Sequence, residues 1–269
     1  MTKHESPPVV LVLAGHDPTG GAGLIADREA VTACGGWALT VPTALTVQSC
    51  RDVRRVMPVE AEWIREMVGA LDEFAIAAIK VGLLPSPAVL DAVVEVVQRY
   101  PGVPLVVDPV LKAGGGSELS TAGLVAAFRE RLLPLVDILT PNRLELARLA
   151  DAGQDDAGRV RSLLARGCGA VLVTGTDDPD PDVPADRVQQ RLFTIEGSQS
   201  WQWPRLPGRY HGSGCTLAAA LAARLAAGDA LPLACERAQR HTWQALAEGW
   251  QPGSAQWLPQ RLTVGCRFP

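Results

Sequence analysis

The chain of 269 residues is 47% hydrophobic and only 20% charged, and its formal net charge is −4. This composition is typical of a globular protein with a sizeable core and excludes an intrinsically disordered chain. The small negative charge excludes the basic field with which nucleic-acid-binding proteins attract phosphate. A chain of this length forms one large domain or two small ones.

Six cysteines are scattered along the chain, without a CxxC pair or a paired-histidine spacing. In a protein of this size they indicate reduced, mostly buried thiols rather than a disulfide or zinc framework. Residues 1–8 lack the apolar centre of a signal peptide. No apolar run is long enough to span a bilayer. We therefore expect a cytoplasmic protein that binds neither membranes nor nucleic acid.

Hydrophobic periodicity predicts a regular alternation of strands and helices. The first predicted strand, at residues 9–14, is a continuous β-branched run typical of a buried parallel strand, and it leads into a glycine-rich loop at 15–23. After it, the pattern predicts a helix at 24–34, one strand or two short ones at 37–48, a helix at 60–73, a strand at 75–81, a helix at 87–100, a strand at 104–107, a helix at 121–133, a strand at 136–140, helices at 142–150 and 157–166, and a strand at 170–174. There follow an acidic, proline-rich loop at 177–186, an antiparallel hairpin formed by 187–195 and 199–204, and helices at 214–227 and 231–248.

Strands that alternate with helices in this way form a mostly parallel sheet with helices on both faces. The predicted fold is therefore a three-layer α/β/α protein with a small antiparallel hairpin. Neither an internal repeat nor a linker interrupts the pattern, so we expect residues 1–269 to form a single domain.

The strongest functional signal is the loop around Gly212 and Gly214, which opens directly into an Ala/Leu-rich helix. Backbone N–H groups in a first helical turn have no acceptor inside the helix, and the helix dipole adds partial positive charge there. Such a loop is a ready-made anion site, and we interpret it as the site of a transferring phosphoryl group. The same field is expected to favour the thiolate of Cys215. For this stretch alone, a glycine-capped helix without a ligand is the alternative.

Other polar residues follow predicted strands, and ligands of open α/β sheets bind at the carboxyl ends of the parallel strands. Glycines in the loop at 15–23 let the backbone approach a ligand, although the loop is neither a dinucleotide fingerprint nor a P-loop. Asp27 either lies on a solvated helix face or points back toward this loop, where it accepts a hydrogen bond from a substrate. Gln48 either faces water or pairs with a heterocycle.

Side chains that suit a metal occur further along the chain. Asp108 ends a predicted strand, and Asn142 and Glu145 share one face at the start of a helix. Oxygen ligands of this kind suit a hydrated Mg²⁺ ion. The same spacing fits a helix cap, with Asn142 at the N-cap, and the two roles are compatible. Together with the anion-binding loop at residues 212–215, called the anion loop below, these residues are the parts of a phosphoryl-transfer site.

Six ordered segments resemble the hydroxymethylpyrimidine/phosphomethylpyrimidine kinases of the ribokinase superfamily. They are residues 14–23 (AGHDPTGGAG) with Asp27, 43–45 (TAL) with Gln48, 80–82 (KVG), 108–110 (DPV), 140–142 (TPN) with Glu145, and 211–217 (HGSGCTL). The resemblance spans residues 10–227. Its most specific part is the loop that ends in Cys215, because sugar kinases of the superfamily commonly carry aspartate there.

The resemblance implies a ribokinase-like fold, a homodimer, and ATP- and Mg²⁺-dependent phosphorylation in thiamine biosynthesis. The implied substrate is 4-amino-5-hydroxymethyl-2-methylpyrimidine, its monophosphate, or both. The residues that it implies are Gly212, Ser213, Gly214 and Cys215 for catalysis, Gly15, Asp27 and Gln48 for the pyrimidine, Asp108, Asn142 and Thr174 for nucleotide and phosphate, and Asp108 and Glu145 for the metal.

Departures from the family pattern concern phosphate binding. Residues 174–177 (TGTD) stand where the family has Lys-Gly-Gly-His, and residues 114–116 (GGG) replace Lys-Ser-Gly. His16 stands where threonine is usual. The chain has lysine only at positions 3, 80 and 112, so we expect Mg²⁺, arginine or backbone N–H groups to meet the phosphate charge. The departures predict weaker ATP binding or an altered substrate preference.

Two alternatives stay open from the sequence. A pyridoxal kinase is the first, because its ring substrate also carries a hydroxymethyl group. A degenerate relative that binds the pyrimidine without turnover is the second. The missing lysine favours this second alternative, whereas the intact loop at 212–215 and the Asn142–Glu145 pair disfavour it.

Overall fold

Nine strands in the described part of the chain join into one sheet. The computed structural model describes residues 6–111, 119–150, 155–175 and 182–262. The strands are β1 (Val9–His16), β2 (Trp37–Gln48), β3 (Val53–Pro58), β4 (Ile76–Val81), β5 (Leu105–Val107), β6 (Ile138–Leu139), β7 (Ala170–Thr174), β8 (Arg187–Thr194) and β9 (Gly197–Pro204). The α-helices are α1 (Gly23–Ala33), α2 (Ala61–Gly69), α3 (Pro87–Gln98), α4 (Ala122–Ala127), α5 (Arg143–Leu149), α6 (Asp156–Ala165), α7 (Ser213–Ala226) and α8 (Leu231–Ala247).

The strand order is β3-β2-β1-β4-β5-β6-β7-β8-β9. The six strands from β2 to β7 along this order are parallel, whereas β3 and the β8–β9 hairpin run antiparallel to their neighbours. After β1 the chain goes to one side for β2 and then crosses to the other side for β4. The order therefore reverses between β1 and β4, and such a switch point opens a crevice at the carboxyl ends of the strands.

Alternating side chains of the central strands supply two separate cores. Leu11 and Leu13 of β1 pack with β-strand and helix residues on one face, where α2 to α6 lie. Val10 and Val12 belong to the other core, with the small side chains of α1, α7 and α8. Because successive strand residues point to opposite faces, a nearly continuous apolar strand buries both. The predicted α/β/α layers and the antiparallel hairpin are thus confirmed.

Local differences from the predicted elements have physical causes. Strand β2 continues through Pro42, whose position pairs with β1 while β3 pairs only from Ala44 onward, so no ladder bond to β3 is lost there. Strand β3 was not predicted, because most of its side chains are at least partly exposed and do not alternate. The predicted helix at 121–133 changes from α4 into a π-helical turn at Phe128–Leu132 and a 3-10 turn that contains Pro134.

Three sequence features lie outside the described residues, namely the glycine run at 114–116, the positions 176 and 177, and part of the acidic loop. Among the helices that the structure describes, none combines the length and the apolar character needed to cross a bilayer.

Candidate active site

A solvent-open cavity of about 620 Å³ lies at the carboxyl ends of the parallel strands, against the N-termini of α1 and α7. Most of the residues singled out in the sequence line this one cavity. They are Gly15, Gln48, Asp108, Asn142, Glu145, Thr174, Gly212, Ser213, Gly214 and Cys215. Asp27 is the exception, because its side chain is completely buried behind the cavity wall.

The N-terminus of α7 forms one wall. Gly212 is the N-cap in a left-handed conformation (φ 82°), and no side chain caps the helix. The first helical bond is donated by the backbone N–H of Thr216 to the carbonyl of Gly212, over 3.0 Å. The N–H groups of Ser213, Gly214 and Cys215 therefore have no acceptor inside the helix. They lie at the cavity with the positive end of the helix dipole, as an anion site requires.

Cys215 carries a thiol rather than the expected thiolate. Burial raises its pKa to about 12, although Lys80 and the backbone N–H of Gly23 act in the opposite direction. The prediction of a thiolate was wrong, because desolvation of the anion outweighs the favourable field of the helix N-terminus. At neutral pH the sulfur lies in the wall of the cavity as a protonated, partly accessible group.

Behind this wall, Lys80 of β4 and Asp27 of α1 form an ion pair. Nζ of Lys80 lies 2.8 Å from Oδ2 of Asp27, and neither side chain is exposed. Burial alone would lower the pKa of Lys80, but the carboxylate of Asp27, helped by that of Asp108, raises it above its ordinary value. Lys80 also lines the cavity. Asp27 thus lies on no solvated helix face, and Lys80 places a buried positive charge next to the cavity.

The glycine-rich loop after β1 is held by Asp17, which was not singled out in the sequence. Its carboxylate is 1% exposed and accepts hydrogen bonds from the backbone N–H groups of Thr19 and Ala22 at 2.9 and 2.8 Å. Nε2 of His211 lies 2.8 Å from the same carboxylate. Burial would raise the pKa of Asp17, but its contacts with His211 and Thr19 lower it overall. The contact joins this loop to the loop before α7.

Gln48 lies at the other side of the cavity, at the end of β2. Its Nε2 donates a 2.7 Å hydrogen bond to Oγ1 of Thr46, which itself donates to the carbonyl of His16 over 2.8 Å. The amide is partly buried, and it is oriented by its neighbour. Its oxygen is thereby available to a heterocycle in the cavity.

The Asn142–Glu145 pair forms the helix cap that its spacing predicted. Oδ1 of Asn142 accepts from the backbone N–H of Glu145 at 2.8 Å, and Oε2 of Glu145 accepts from the backbone N–H of Asn142 at 3.0 Å. This is a complete capping box at the start of α5. Oε1 of Glu145 also accepts from the N–H of Leu111 at 3.4 Å. Glu145 lines the cavity all the same.

Asp108 faces the anion loop. It is 6% exposed, and a Cβ atom added at Gly214 would lie 3.5 Å from its Oδ2 atom. Within the described ranges no three acidic, histidine or cysteine side chains come together as a metal cage. Two cavity carboxylates on their own suit Mg²⁺, because this ion is usually held by one or two carboxylates, substrate phosphates and water.

Two tryptophans that were not predicted as site residues also line the cavity. Trp203 of β9 and Trp243 of α8 stack with ring centroids 6.4 Å apart. Nε1 of Trp203 donates to Oε1 of the buried Gln239 over 2.9 Å. Thr174 and Arg205 line the same cavity, and Nη2 of Arg205 donates to the carbonyl of Gly175, the residue after Thr174, at 3.5 Å. An arginine thus stands next to the position at which the family lysine is missing.

The site residues that were not predicted differ in how far the sequence alone could have revealed them. Lys80 is a charged residue inside an apolar strand, IAAIKV, and this signal was readable because buried charges are rare. Asp17 and His211 lie in loops 194 positions apart, so only the fold reveals their contact. The two tryptophans likewise come from elements that are distant in the sequence.

Comparison with known proteins gives a consistent result. A family model described as phosphomethylpyrimidine kinase matches residues 17–259. The hydroxymethylpyrimidine/phosphomethylpyrimidine kinase of Escherichia coli (strain K12) is 40% identical over 223 residues, which are 79% of this chain and 81% of that protein.

Solved structures share the fold. The phosphomethylpyrimidine kinase from Clostridium difficile 630 superposes with a TM-score of 0.75 at 27% identity, over 88% of this chain and 98% of its own. An ADP complex of the pyridoxal kinase from Bacillus subtilis superposes with a TM-score of 0.84 at 24% identity, over 95% of this chain and 98% of its own. The second likeness concerns the fold alone, whereas the sequence matches separate the families.

Proposed function

This chain belongs to the phosphomethylpyrimidine kinase family, and we propose that it transfers the γ-phosphoryl group of ATP in thiamine biosynthesis. The acceptor is the hydroxymethyl group of 4-amino-5-hydroxymethyl-2-methylpyrimidine, the phosphate of its monophosphate, or both in turn. One observation carries the proposal, namely that the α7 N-terminus, Asp108 and Lys80 line the same cavity.

The anion loop stabilises the negative charge on the phosphoryl group while it is transferred. Donors at Gly212 to Cys215 are fixed before the reaction, so they need no reorganisation when charge develops on the transferring oxygens. Lys80 supplies a full positive charge on the same side. Because the transition state is loose, the acceptor oxygen needs little help from a base. The protonated thiol of Cys215 then positions that oxygen rather than removing its proton.

The pyrimidine binds between the loop after β1 and the end of β2. Gly15 leaves room there, since a Cβ atom would lie only 3.2 Å from Cδ2 of Leu83. Gln48 presents its amide to the ring, and a site built to pair with ring nitrogens discriminates against analogues that lack them. Asp27 contributes through Lys80, whose buried ammonium it holds in place.

The nucleotide lies toward Asn142 and Thr174, which line the cavity at the ends of β6 and β7. Asp108 and Glu145 would hold Mg²⁺ at its phosphates, because carboxylate oxygens match this ion. When bound, the ion neutralises phosphate charge. Glu145 retains its cap at the same time, since each carboxylate oxygen has more than one lone pair.

We also propose a cytoplasmic homodimer whose chain acts as one catalytic domain. The described cysteines are free thiols, which fits a reducing compartment. Leu45, Val47 and Met57 are 45%, 46% and 40% exposed on β2 and β3, and Leu45 and Met57 face each other across the pair. An exposed apolar group of this kind is typical of a subunit interface. Light scattering after gel filtration tests the dimer, and a mass of one chain contradicts it.

A coupled ADP-release assay tests the proposed activity. We expect turnover with the pyrimidine alcohol, its monophosphate or both, and none with pyridoxal. Asp108→Asn serves as the inactive reference, because it removes a carboxylate from the phosphate side without changing the side-chain size. Turnover with pyridoxal alone would instead establish the pyridoxal kinase alternative. Binding of the pyrimidine without ADP release would establish the non-catalytic relative.

A further inference from the structure

We propose that Arg261 is a positioning residue, which holds the two helix N-termini of the site together from outside the cavity. Its side chain is only 1% exposed, and it does not line the cavity. It also follows the family-matched segment, which ends at residue 259. The inference deepens the proposed function and rests on it for its kinetic part.

The guanidinium of Arg261 joins two segments that are far apart in the sequence. Nε donates to Oγ1 of Thr216, in the first turn of α7, over 2.8 Å. Nη1 donates to the carbonyl of Gly20 at 3.3 Å and to Oε2 of Glu29, on α1, at 3.0 Å. Nη2 donates to the carbonyl of Gly21. One side chain thus contacts helix α7, the glycine-rich loop after β1 and helix α1.

These contacts occur where the two loops touch. Oγ1 of Thr216 donates in turn to the carbonyl of Gly212 over 2.8 Å. A Cβ atom at Gly212 would lie 1.8 Å from the carbonyl oxygen of Gly21, so the two backbones are in direct contact. Arg261 therefore fixes both partners of this contact, one through a carbonyl and the other through Thr216.

The segment before Arg261 is itself anchored to the site. Backbone N–H groups of Trp257 and His211 donate to the carbonyls of Arg209 and Trp257 at 2.8 and 2.9 Å. The N–H of Gln260 donates to the carbonyl of Ala245, on α8, at 2.8 Å. The backbone that leads to Arg261 is thus hydrogen-bonded both to the loop before α7 and to α8. This lowers the conformational-entropy cost of holding the guanidinium in place.

The acceptors require an arginine. Four acceptor atoms surround the group in different directions, and the planar fork of a guanidinium offers five donors in a fixed geometry. A lysine has three donors on one atom and cannot reach all of them. We therefore expect Arg261→Lys to behave like a neutral replacement in kinetics, although it keeps the charge.

The consequence for catalysis is a change in kcat rather than in KM. Cavity-lining groups are intact in Arg261→Gln, so we expect KM for the pyrimidine to stay within about threefold. A displacement of about 1 Å between catalytic groups costs about a hundredfold in rate, and we expect kcat to fall by about tenfold to a hundredfold.

Arg224→Gln is the matched control. Arg224 lies on the same helix, α7, and its Nε pairs with Oδ2 of Asp229 at 2.7 Å, away from the cavity. We expect its kcat to be that of the wild type.

Chemical rescue separates positioning from mere loss of stability. We expect millimolar methylguanidinium to restore much of the kcat of Arg261→Ala along a saturating curve, and to leave Arg224→Gln unchanged. Thr216→Val provides a second variant, and its combination with Arg261→Gln should lose no more activity than Arg261→Gln alone. A kcat of Arg261→Gln within twofold of wild type overturns the proposal, and so does a folded Arg261→Ala without rescue.

A structural readout makes the inference independent of the pyrimidine assay. In Arg261→Ala we expect faster hydrogen exchange at the N–H of Thr216, which bonds to Gly212, and at that of Ala22, which bonds to Asp17. Methylguanidinium should restore their protection. An inactive wild type would defeat the proposed function, whereas unchanged exchange at both positions would defeat the role of Arg261.

Discussion

Nζ of Lys80 lies 2.8 Å from Oδ2 of Asp27, and both side chains are completely buried. Oδ1 of Asp27 has no hydrogen-bond partner among the described residues. A buried ion pair of this kind is weak evidence for stability, because desolvation offsets much of the attraction. The pair matters here because of its position, since Lys80 borders the cavity that holds the anion loop.

The first prediction concerns this pair. We expect Asp27→Leu or Lys80→Met to destabilise the fold by about 3–5 kcal/mol, because each leaves one buried charge unpaired. The double variant should be less destabilised than either single one, since no unpaired charge remains. Urea unfolding measures all three, and additive losses would contradict the pairing. The refolded double variant should lack kinase activity, because the charge at the cavity is gone.

The second prediction follows from the lowered pKa of Asp17. Burial opposes this shift, but the hydrogen bonds from His211 and Thr19 outweigh it. A carboxylate whose folded-state pKa is depressed stabilises the fold above its unfolded pKa, and this contribution disappears as the pH falls through the folded-state value. We expect Asp17→Asn to cost about 1–3 kcal/mol at neutral pH. The difference from wild type should be present above about pH 5 and shrink below about pH 4.

Denaturant unfolding across this pH range checks the second prediction. Asp72→Asn is a suitable control, because its ion pair with Arg99 is exposed, at 64% and 44% of the two side chains. Such pairs contribute less than about 1 kcal/mol. A stability difference for Asp17→Asn that grows toward low pH would show that the carboxylate is not held in its charged form.

The third prediction uses the thiol of Cys215, whose pKa burial raises to about 12. A pKa of about 12 instead of 9.0 lowers the thiolate fraction at pH 8 about a thousandfold, and the thiolate is the form that reacts. We expect iodoacetamide at pH 8 to leave Cys215 of the folded protein unlabelled, and kcat to show no cysteine ionisation from about pH 6 to 9. Peptide mass spectrometry reads the labelling. The urea-unfolded chain, in which Cys215 is exposed, is the control, and faster labelling in the folded protein would indicate an activated thiolate.

Much of this fold was predictable, because local sequence and layer packing agree. Strand β1 is an unbroken apolar run that must bury both faces, and its helices carry regular apolar stripes. Strand β3 was not predicted, since its exposed edge position leaves no apolar alternation in the sequence. Element type is thus set by burial, and it is hardest to predict where burial is incomplete.

The candidate site was predictable only in part, for a different reason. Residues at strand ends, such as Gly15 and Asp108, meet at one edge because parallel strands place their carboxyl ends together. Asp27 sits one helical turn further in, and its depth depends on how α1 packs against β1, β2 and α7. Whether the pKa of Cys215 is raised or lowered depends likewise on desolvation, which is a property of the packed protein rather than of the loop.

The last prediction separates the two roles of the Asn142–Glu145 pair. In Glu145→Gln an amide oxygen can still accept from the backbone N–H of Asn142, since glutamine also serves in capping boxes. We expect its stability to stay within about 0.5 kcal/mol of wild type. The negative charge at the cavity is lost, however, so the Mg²⁺ concentration for half-maximal turnover should rise several-fold. Asn142→Ala makes the complementary change, because it removes the cap of α5, and it should cost about 1 kcal/mol. Urea unfolding and magnesium titration of both variants then give a crossed pattern. If Glu145 serves as a cap alone, Glu145→Gln leaves the magnesium dependence unchanged, and the metal role falls to Asp108.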